Sequence, residues 1–207
     1  PIKLNVSVDE PTTRVGYSNA ELPEGFVLKV DQLNADKYNY LVWAKKVGDN
    51  WKTYKLNKET NSVTDEEVTM LWANMNDKVE VTVSAISDIN YRDGRSIHGI
   101  VNKHPTDQTT PDALKKADFL AMPLTPVAPT QDGINVEFKH TMSKINLTIE
   151  LGSEYEFTQE DVDTKITDVK IDGSKVEAFY HINTSNYDPQ FQFSGHFGDP
   201  ASISPYH

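Results

Sequence analysis

Apolar and polar residues alternate strictly at the start of the chain. Ile2, Leu4, Val6 and Val8 are apolar, and Lys3, Asn5 and Ser7 between them are polar. A period of two places those four apolar side chains on one face of an extended strand. The same period predicts strands over Phe26–Val30, Tyr40–Val47, Trp51–Leu56, Val79–Ile86 and Ile134–Phe138. It continues over Thr141–Leu151, where Ile145, Leu147, Ile149 and Leu151 share a face, and over Ile166–Ile171 and Val176–Ile182.

Turn chemistry falls between these runs. Gly48-Asp49-Asn50 and Asp172-Gly173-Ser174-Lys175 each separate two strand patterns and predict hairpins. Asp93-Gly94 and Asp132-Gly133 mark further turns. The one clear helix signal is Thr110-Pro111-Asp112-Ala113-Leu114-Lys115-Lys116, with a Thr cap and Pro at the first helical position. Many short strands with turns between them predict an all-β sandwich or barrel. Ser87 to Thr110 is polar and predicts a long surface loop. The segment from Met122-Pro123 through Pro126 and Pro129 predicts extended chain kept out of the middle of a sheet, because proline cannot donate to a ladder.

A strong strand pattern gives way near Gly152 to the acidic stretch Glu154 to Asp163. The expected division is a β-sandwich over residues 1–152 and a second β domain over 153–207. Beyond Gly152 only about two strands and a tail, Tyr187 to His207, remain, so the second unit is expected to be small or incomplete.

Charge then narrows the partners. Acidic residues outnumber basic ones 31 to 20, for a formal charge of −11, so nucleic acid and anionic membrane surfaces are repelled. Hydrophobic residues make up 37%, enough for a packed core. There is no cysteine, which removes disulfides, thiolate metal sites and cysteine nucleophiles. The chain opens on Pro1-Ile2-Lys3-Leu4 without a targeting segment, as a mature or trimmed start would.

Candidate chemistry is sparse. No phosphate loop, Gly-x-Ser-x-Gly elbow or His-Glu-x-x-His occurs. The histidines at 98, 104, 140, 181, 196 and 207 lie at no metal-ligand spacing, so no metal and no cofactor is expected. Asp88-Ile89-Asn90-Tyr91-Arg92-Asp93-Gly94 fails as a calcium loop, because Arg92 stands where an oxygen donor belongs. The cluster Glu154, Glu156, Glu160, Asp161 and Asp163 reads as solvated surface. Trp43, Trp51 and Trp72 offer either hairpin packing or a sugar-stacking platform, which keeps a glycan-binding surface module as the alternative function. Asn-x-Ser/Thr triplets at Asn5, Asn146 and Asn183 read as chance occurrences. No residue set supports a catalytic role, so an enzyme is not expected.

Two stretches carry a resemblance. Asp118-Phe119-Leu120-Ala121-Met122, followed by Val136-Glu137-Phe138-Lys139-His140-Thr141-Met142-Ser143-Lys144-Ile145, is similar to the D-L-[LI]-x-[AG] … F-x-H-x-[ML]-[SA]-K-[IV] pattern of Bacteroidales fimbrillins. The opening strand followed by Thr12-Thr13-Arg14-Val15 resembles their N-terminal region. This resemblance implies a transthyretin-like β-sandwich followed by a second β domain. It implies export to the cell surface as an outer-membrane lipoprotein, and work as a pilus (fimbria) subunit or adhesin. It also implies an Arg-specific maturation protease cutting the Arg14–Val15 bond, after which Ile2, Leu4, Val6 and Val8 are exchanged for a strand of another subunit. The partners implied are other pilus subunits, the protease and host or bacterial surface ligands. Within the motif Phe138, His140, Met142 and Lys144 are expected to be structural. Two readings of Arg14 stand side by side: a processing site, or an ordinary exposed arginine in a Pro-Thr-Thr turn.

Overall fold

A computed structural model of the chain describes residues 1–9, 22–32, 35–57, 62–85, 90–91, 99–141, 145, 147–148, 168–181 and 193–205. Among them the structure is all-β with one short α-helix and a single 3-10 turn at Asp36–Tyr38. The strands are β1 (Leu4–Val8), β2 (Gly25–Asp31), β3 (Tyr40–Val47), β4 (Asn50–Asn57), β5 (Ser62–Glu67), β6 (Val79–Ala85), β7 (Asn90–Tyr91), β8 (Gly99–Lys103), β9 (Leu120–Val127), β10 (Ile134–His140), β11 (Ile171–His181) and β12 (Phe193–Ile203). The helix α1 is Pro111–Ala117, and the Thr110 hydroxyl accepts from the Ala113 N–H as the capping pattern requires.

Eight strands join in the order β1-β10-β9-β6-β2-β3-β4-β5, and β12-β11-β8-β7 form a second sheet. The larger sheet folds over on itself. Laid flat, β10 and β2 would stand about 14 Å apart, three strand spacings of about 4.8 Å. Instead the rings of Phe138 on β10 and Phe26 on β2 meet edge to face at 5.2 Å. The fold occurs within β10. Residues Ile134 to Phe138 pair with β1, and only Lys139 and His140 pair with β9, opposite Ala121 and Leu120. A strand that changes partners in this way makes the corner of a sandwich. The β1–β10 pair thereby covers the face of the β9-β6-β2-β3-β4 sheet that carries Phe26, Leu28, Val30, Val42, Ala44, Val81 and Val83, all buried in one core.

Most of the predicted strands are present with ends shifted by one or two residues. The β3–β4 hairpin turns on Gly48 and Asp49, with Val47 opposite Asn50 and Gly48 at φ 61°, the left-handed conformation that glycine adopts freely. Several expectations are corrected. Asp172-Gly173-Ser174-Lys175 is not a hairpin but lies within β11. Three steps from Ile171 to Ser174 face two from Ile203 to Ala201, which is a bulge, and Gly173 supplies its positive φ of 77°. The stretch from 87 to 110 is not only loop, since it contributes β7 and β8 to the second sheet.

The proline-rich segment forms β9, interior in the strand order. The ladder tolerates Pro123 and Pro126 because β10 pairs only with the start of β9, so their missing N–H groups face no neighbour on that side. On the β6 side a bulge between Met122 and Thr125 takes up Pro123. Of the expected Thr141–Leu151 strand, Thr141, Ile145, Leu147 and Thr148 are described, and none is in a strand. The remainder, with all of Glu154 to Ile166, lies outside the described residues. Beyond β7, β8 and β9, two further strands carry no alternating signal: β5, which is polar, and β12, which contains Gly and Pro.

Candidate functional site

Strand β1 stands at one end of the larger sheet and runs parallel to its neighbour β10, with Leu4 opposite Ile134, Val6 opposite Val136 and Val8 opposite Phe138. The alternation does what its period predicts. Ile2, Leu4 and Val8 are buried, Val6 packs partly buried on the same core, and Asn5 and Ser7 are exposed. Both ends of the strand are tied down. The Ile2 N–H donates to the Met70 carbonyl, the Ile134 N–H to the Lys3 carbonyl and the Asp9 N–H to the Phe138 carbonyl, each at 2.8 Å.

Two further contacts fix the register. Gly133 sits at φ 93°, and a Cβ there would collide with the Lys3 carbonyl, so the Asp132-Gly133 turn is shaped to admit the backbone of β1. The Asn5 side-chain amide donates to Asn135 Oδ1 at 2.9 Å and to the Asp132 carbonyl at 3.1 Å. The seat is therefore an apolar slot with a polar key at its rim.

The opposite end of the sheet is built differently. β5 is exposed except at half-buried Thr64 and carries Asp65, Glu66 and Glu67. Lys52 pairs with Glu67 at 2.8 Å and Lys55 with Glu66 at 3.0 Å, both on the surface. The hydrogen bond and charge of Glu67 hold the Lys52 ammonium above its ordinary pKa. Charge on an edge strand discourages edge-to-edge pairing. One end is blunted by charge, and the other is closed by a greasy ribbon.

The two motif stretches meet in space beside this slot. The Asp118 carboxylate approaches His140 Nδ1 at 2.8 and 2.7 Å, with both side chains nearly dry. A carboxylate only accepts, so Nδ1 carries the proton. Thr141 donates to the Phe119 carbonyl through both its N–H, at 2.9 Å, and its hydroxyl, at 3.0 Å. The Phe119 ring in turn meets the His104 ring at 5.4 Å, and the His104 N–H donates to the Val176 carbonyl of β11. The motif thus ties β9 to β10 where the sandwich meets the second sheet.

Arg14, Val15, Met142 and Lys144 lie outside the described residues, as do His98 and His207. Phe138 is fully buried against Phe26. The three tryptophans do not share one face. Trp51 packs into the core on Phe26 at 4.9 Å, whereas Trp43 lies over Gly25 on the other side of the sheet. Trp72 donates to the Thr130 carbonyl at 3.1 Å. Gly133 and Asn5 escaped notice as site residues, although Asp132-Gly133 was legible as a turn.

The family model described as fimbrillin-like matches residues 26–203, from β2 through β12. The chain belongs to the fimbrillin-like family. The fimbrillin-like match begins inside β2; it takes in Asp118–Met122 and Val136–Ile145 and leaves out β1 and Arg14. No curated protein and no solved structure matches the chain. Fimbrillin-like proteins are structural pilus proteins of the cell surface rather than enzymes. Among the described residues no helix is long and apolar enough to cross a membrane.

Proposed function

We propose that this fimbrillin-like chain is a pilus subunit that assembles by protease-triggered strand exchange. The observation that carries the reading is the seat of β1, an end strand with one neighbour and its apolar face inside the core. A maturation protease specific for arginine cuts the Arg14–Val15 bond, in the connection between β1 and β2. The freed strand leaves, and an extended segment of another subunit takes its place in the slot.

Ile2, Leu4, Val6 and Val8 are the side chains replaced. At about 1.5–3 kcal/mol each on burial they contribute on the order of 6–12 kcal/mol before ordering costs. Before the cut, β1 protects the edge it occupies and keeps the subunit monomeric. The proposal extends to export as an outer-membrane lipoprotein, and to surface ligands of host or bacterial origin as partners of the finished pilus. The division at residue 152 belongs to it as well. Every strand of the larger sheet comes from residues 1–152, and β11 and β12 come from 153–207, joined by β7 and β8 from the first part. The alternative reading, glycan binding on a tryptophan platform, draws no support from the separate positions of Trp43, Trp51 and Trp72.

The test is treatment of the purified chain with an Arg-specific protease, followed by size-exclusion chromatography. Arg92 and Arg95 are the only other arginines and are changed to Lys to leave one site. Cutting is expected to raise the oligomeric state, and Arg14→Ala is expected to block the rise. Equal assembly of the Arg14→Ala chain would defeat the mechanism.

A further inference from the structure

The slot that holds β1 reads more than an apolar face. On the solvent side of the β1–β10 pair Asn5 stands opposite Asn135, and the next β10 residue on that side is Glu137, opposite Ser7. Asn5 Nδ2 donates to two oxygens, Asn135 Oδ1 at 2.9 Å and the Asp132 carbonyl at 3.1 Å. A backbone carbonyl only accepts, so the group facing it has to be a donor. A carboxamide –NH2 brings one N–H for each oxygen.

Alternating apolar residues cannot set the register by themselves. A slip of one residue turns the apolar face to water, but a slip of two leaves it buried. The Asn5 key separates those registers. A slip of two brings either Ser7, with one O–H for two oxygens, or Lys3, with its ammonium at the end of a long flexible arm, to the place of Asn5. The other ties of the seat are made by backbone, from the Ile2 N–H to the Met70 carbonyl and from the Ile134 N–H to the Lys3 carbonyl. They demand an N–H at the place of Ile2, which excludes proline there, but they do not distinguish one side chain from another.

We infer that the Asp132 carbonyl and Asn135 Oδ1 are a selectivity site for the strand seated beside β10, and that the segment of another subunit entering this slot carries asparagine at the place of Asn5. The inference rests on the strand-exchange reading and names the chemistry of the incoming strand. That strand runs parallel to β10, is apolar at the places of Ile2, Leu4, Val6 and Val8, and has a carboxamide at the place of Asn5. Aspartate has the shape of asparagine but no donor, and its carboxylate would face two acceptor oxygens. Glu137 sets a like charge against an acid at the place of Ser7. Rejecting acidic segments matters in a chain with 31 acidic residues, because specificity comes from the repelled partner as much as from the bound one.

The experiment uses the full chain, with Arg92 and Arg95 changed to Lys, cut at Arg14 so that the strand fragment is retained only by non-covalent contacts. Fluorescent peptides of residues 1–9 are added in excess, and anisotropy reports their capture. The wild-type peptide is expected to bind, and its Asn5→Asp version to bind at least about tenfold more weakly. A Lys3→Gln version alters the peptide's charge by the same single unit at an exposed position away from the key, and is expected to bind as the wild type does. Asn135→Lys in the receiving chain sets an ammonium beside the key and is expected to reverse the preference, so that the Asn5→Asp peptide binds more tightly than the wild-type one. Peptide changes leave the fold of the receiving chain untouched, and Asn135 is itself exposed.

Capture of the wild-type and Asn5→Asp peptides alike, or equal weakening by Lys3→Gln, would overturn the selectivity site and leave strand exchange standing. A preference for asparagine that survives Asn135→Lys would do the same. Capture of no peptide would overturn both.

Discussion

Asp118 and His140, twenty-two positions apart, form a nearly dry acid–imidazole pair with Nδ1 2.7–2.8 Å from the carboxylate oxygens. The pair closes the corner where β10 leaves β1 and joins β9, so the two halves of the family motif are two sides of one joint. The first half supplies the carboxylate that accepts from the buried His140 Nδ1 of the second.

Removing either member alone is expected to be costly for that reason. His140→Ala takes an ion-pair partner from the Asp118 carboxylate, and Asp118→Ala takes the acceptor from the buried His140 Nδ1, the latter at about 3 kcal/mol. Replacing both with apolar residues of similar size is expected to cost clearly less than the sum. Urea denaturation of the two singles and the double closes the cycle, and strict additivity would show that the pair carries no coupling.

Gly133→Ala tests the seat of β1. The positive φ strains any L side chain, and the new methyl meets the Lys3 carbonyl. A loss of about 1–3 kcal/mol is expected. Hydrogen exchange is expected to rise first across Leu4–Val8 while β2 and β6 stay protected. Uniform loss of protection would mean that β1 is not a separable piece.

Gln32 is a buried side chain that satisfies three backbone groups. Its amide nitrogen donates to the Tyr38 and Leu71 carbonyls, and its oxygen accepts from the Ala73 N–H. Gln32→Met keeps the volume and orphans those groups, at an expected cost of about 1–3 kcal/mol. Gln32→Glu is expected to cost more at neutral pH, because a carboxylate cannot donate to the two carbonyls. Equal stability of the two variants in urea would rule out the hydrogen-bond account.

Acid stability carries a small local signature at Asp107, beside the bridge from Asp107 to Ser204. The Thr109 hydroxyl, and then its N–H, bond the carboxylate and hold its pKa below the ordinary 3.8. A depressed carboxylate stabilises the fold above its unfolded value, and that contribution fades as pH falls through the folded one. The melting-temperature gap between wild type and Asp107→Asn is therefore expected to be open above about pH 4 and to close below it. A gap independent of pH from 2 to 7 would contradict this.

How far the fold was legible depends on where each signal lay. Strands with one dry face, such as Ile2–Val8 and Ile134–Phe138, wrote their burial into a period of two. β5 did not, because an exposed edge needs no apolar face and Ser62–Glu67 has almost none. β9 was hidden by Pro123 and Pro126, since a reading of single residues has no access to which ladder side a neighbour leaves vacant. The bulge at Gly173 and the hairpin at Gly48 use the same positive φ, and only the pairing register tells them apart. At the site the four apolar positions of β1 were readable. Its parallel pairing, Gly133 and the Asn5 key depend on a contact about 130 positions away and were not.

The central claim is that β1 leaves as another subunit docks. Native mass spectrometry of the chain cut at Arg14 measures this directly, because the fragment 1–14 has its own mass. The account predicts that oligomers carry the fragment on at most one subunit. Oligomers retaining one fragment on every subunit, or a cut chain that stays monomeric with its fragment bound, would contradict it.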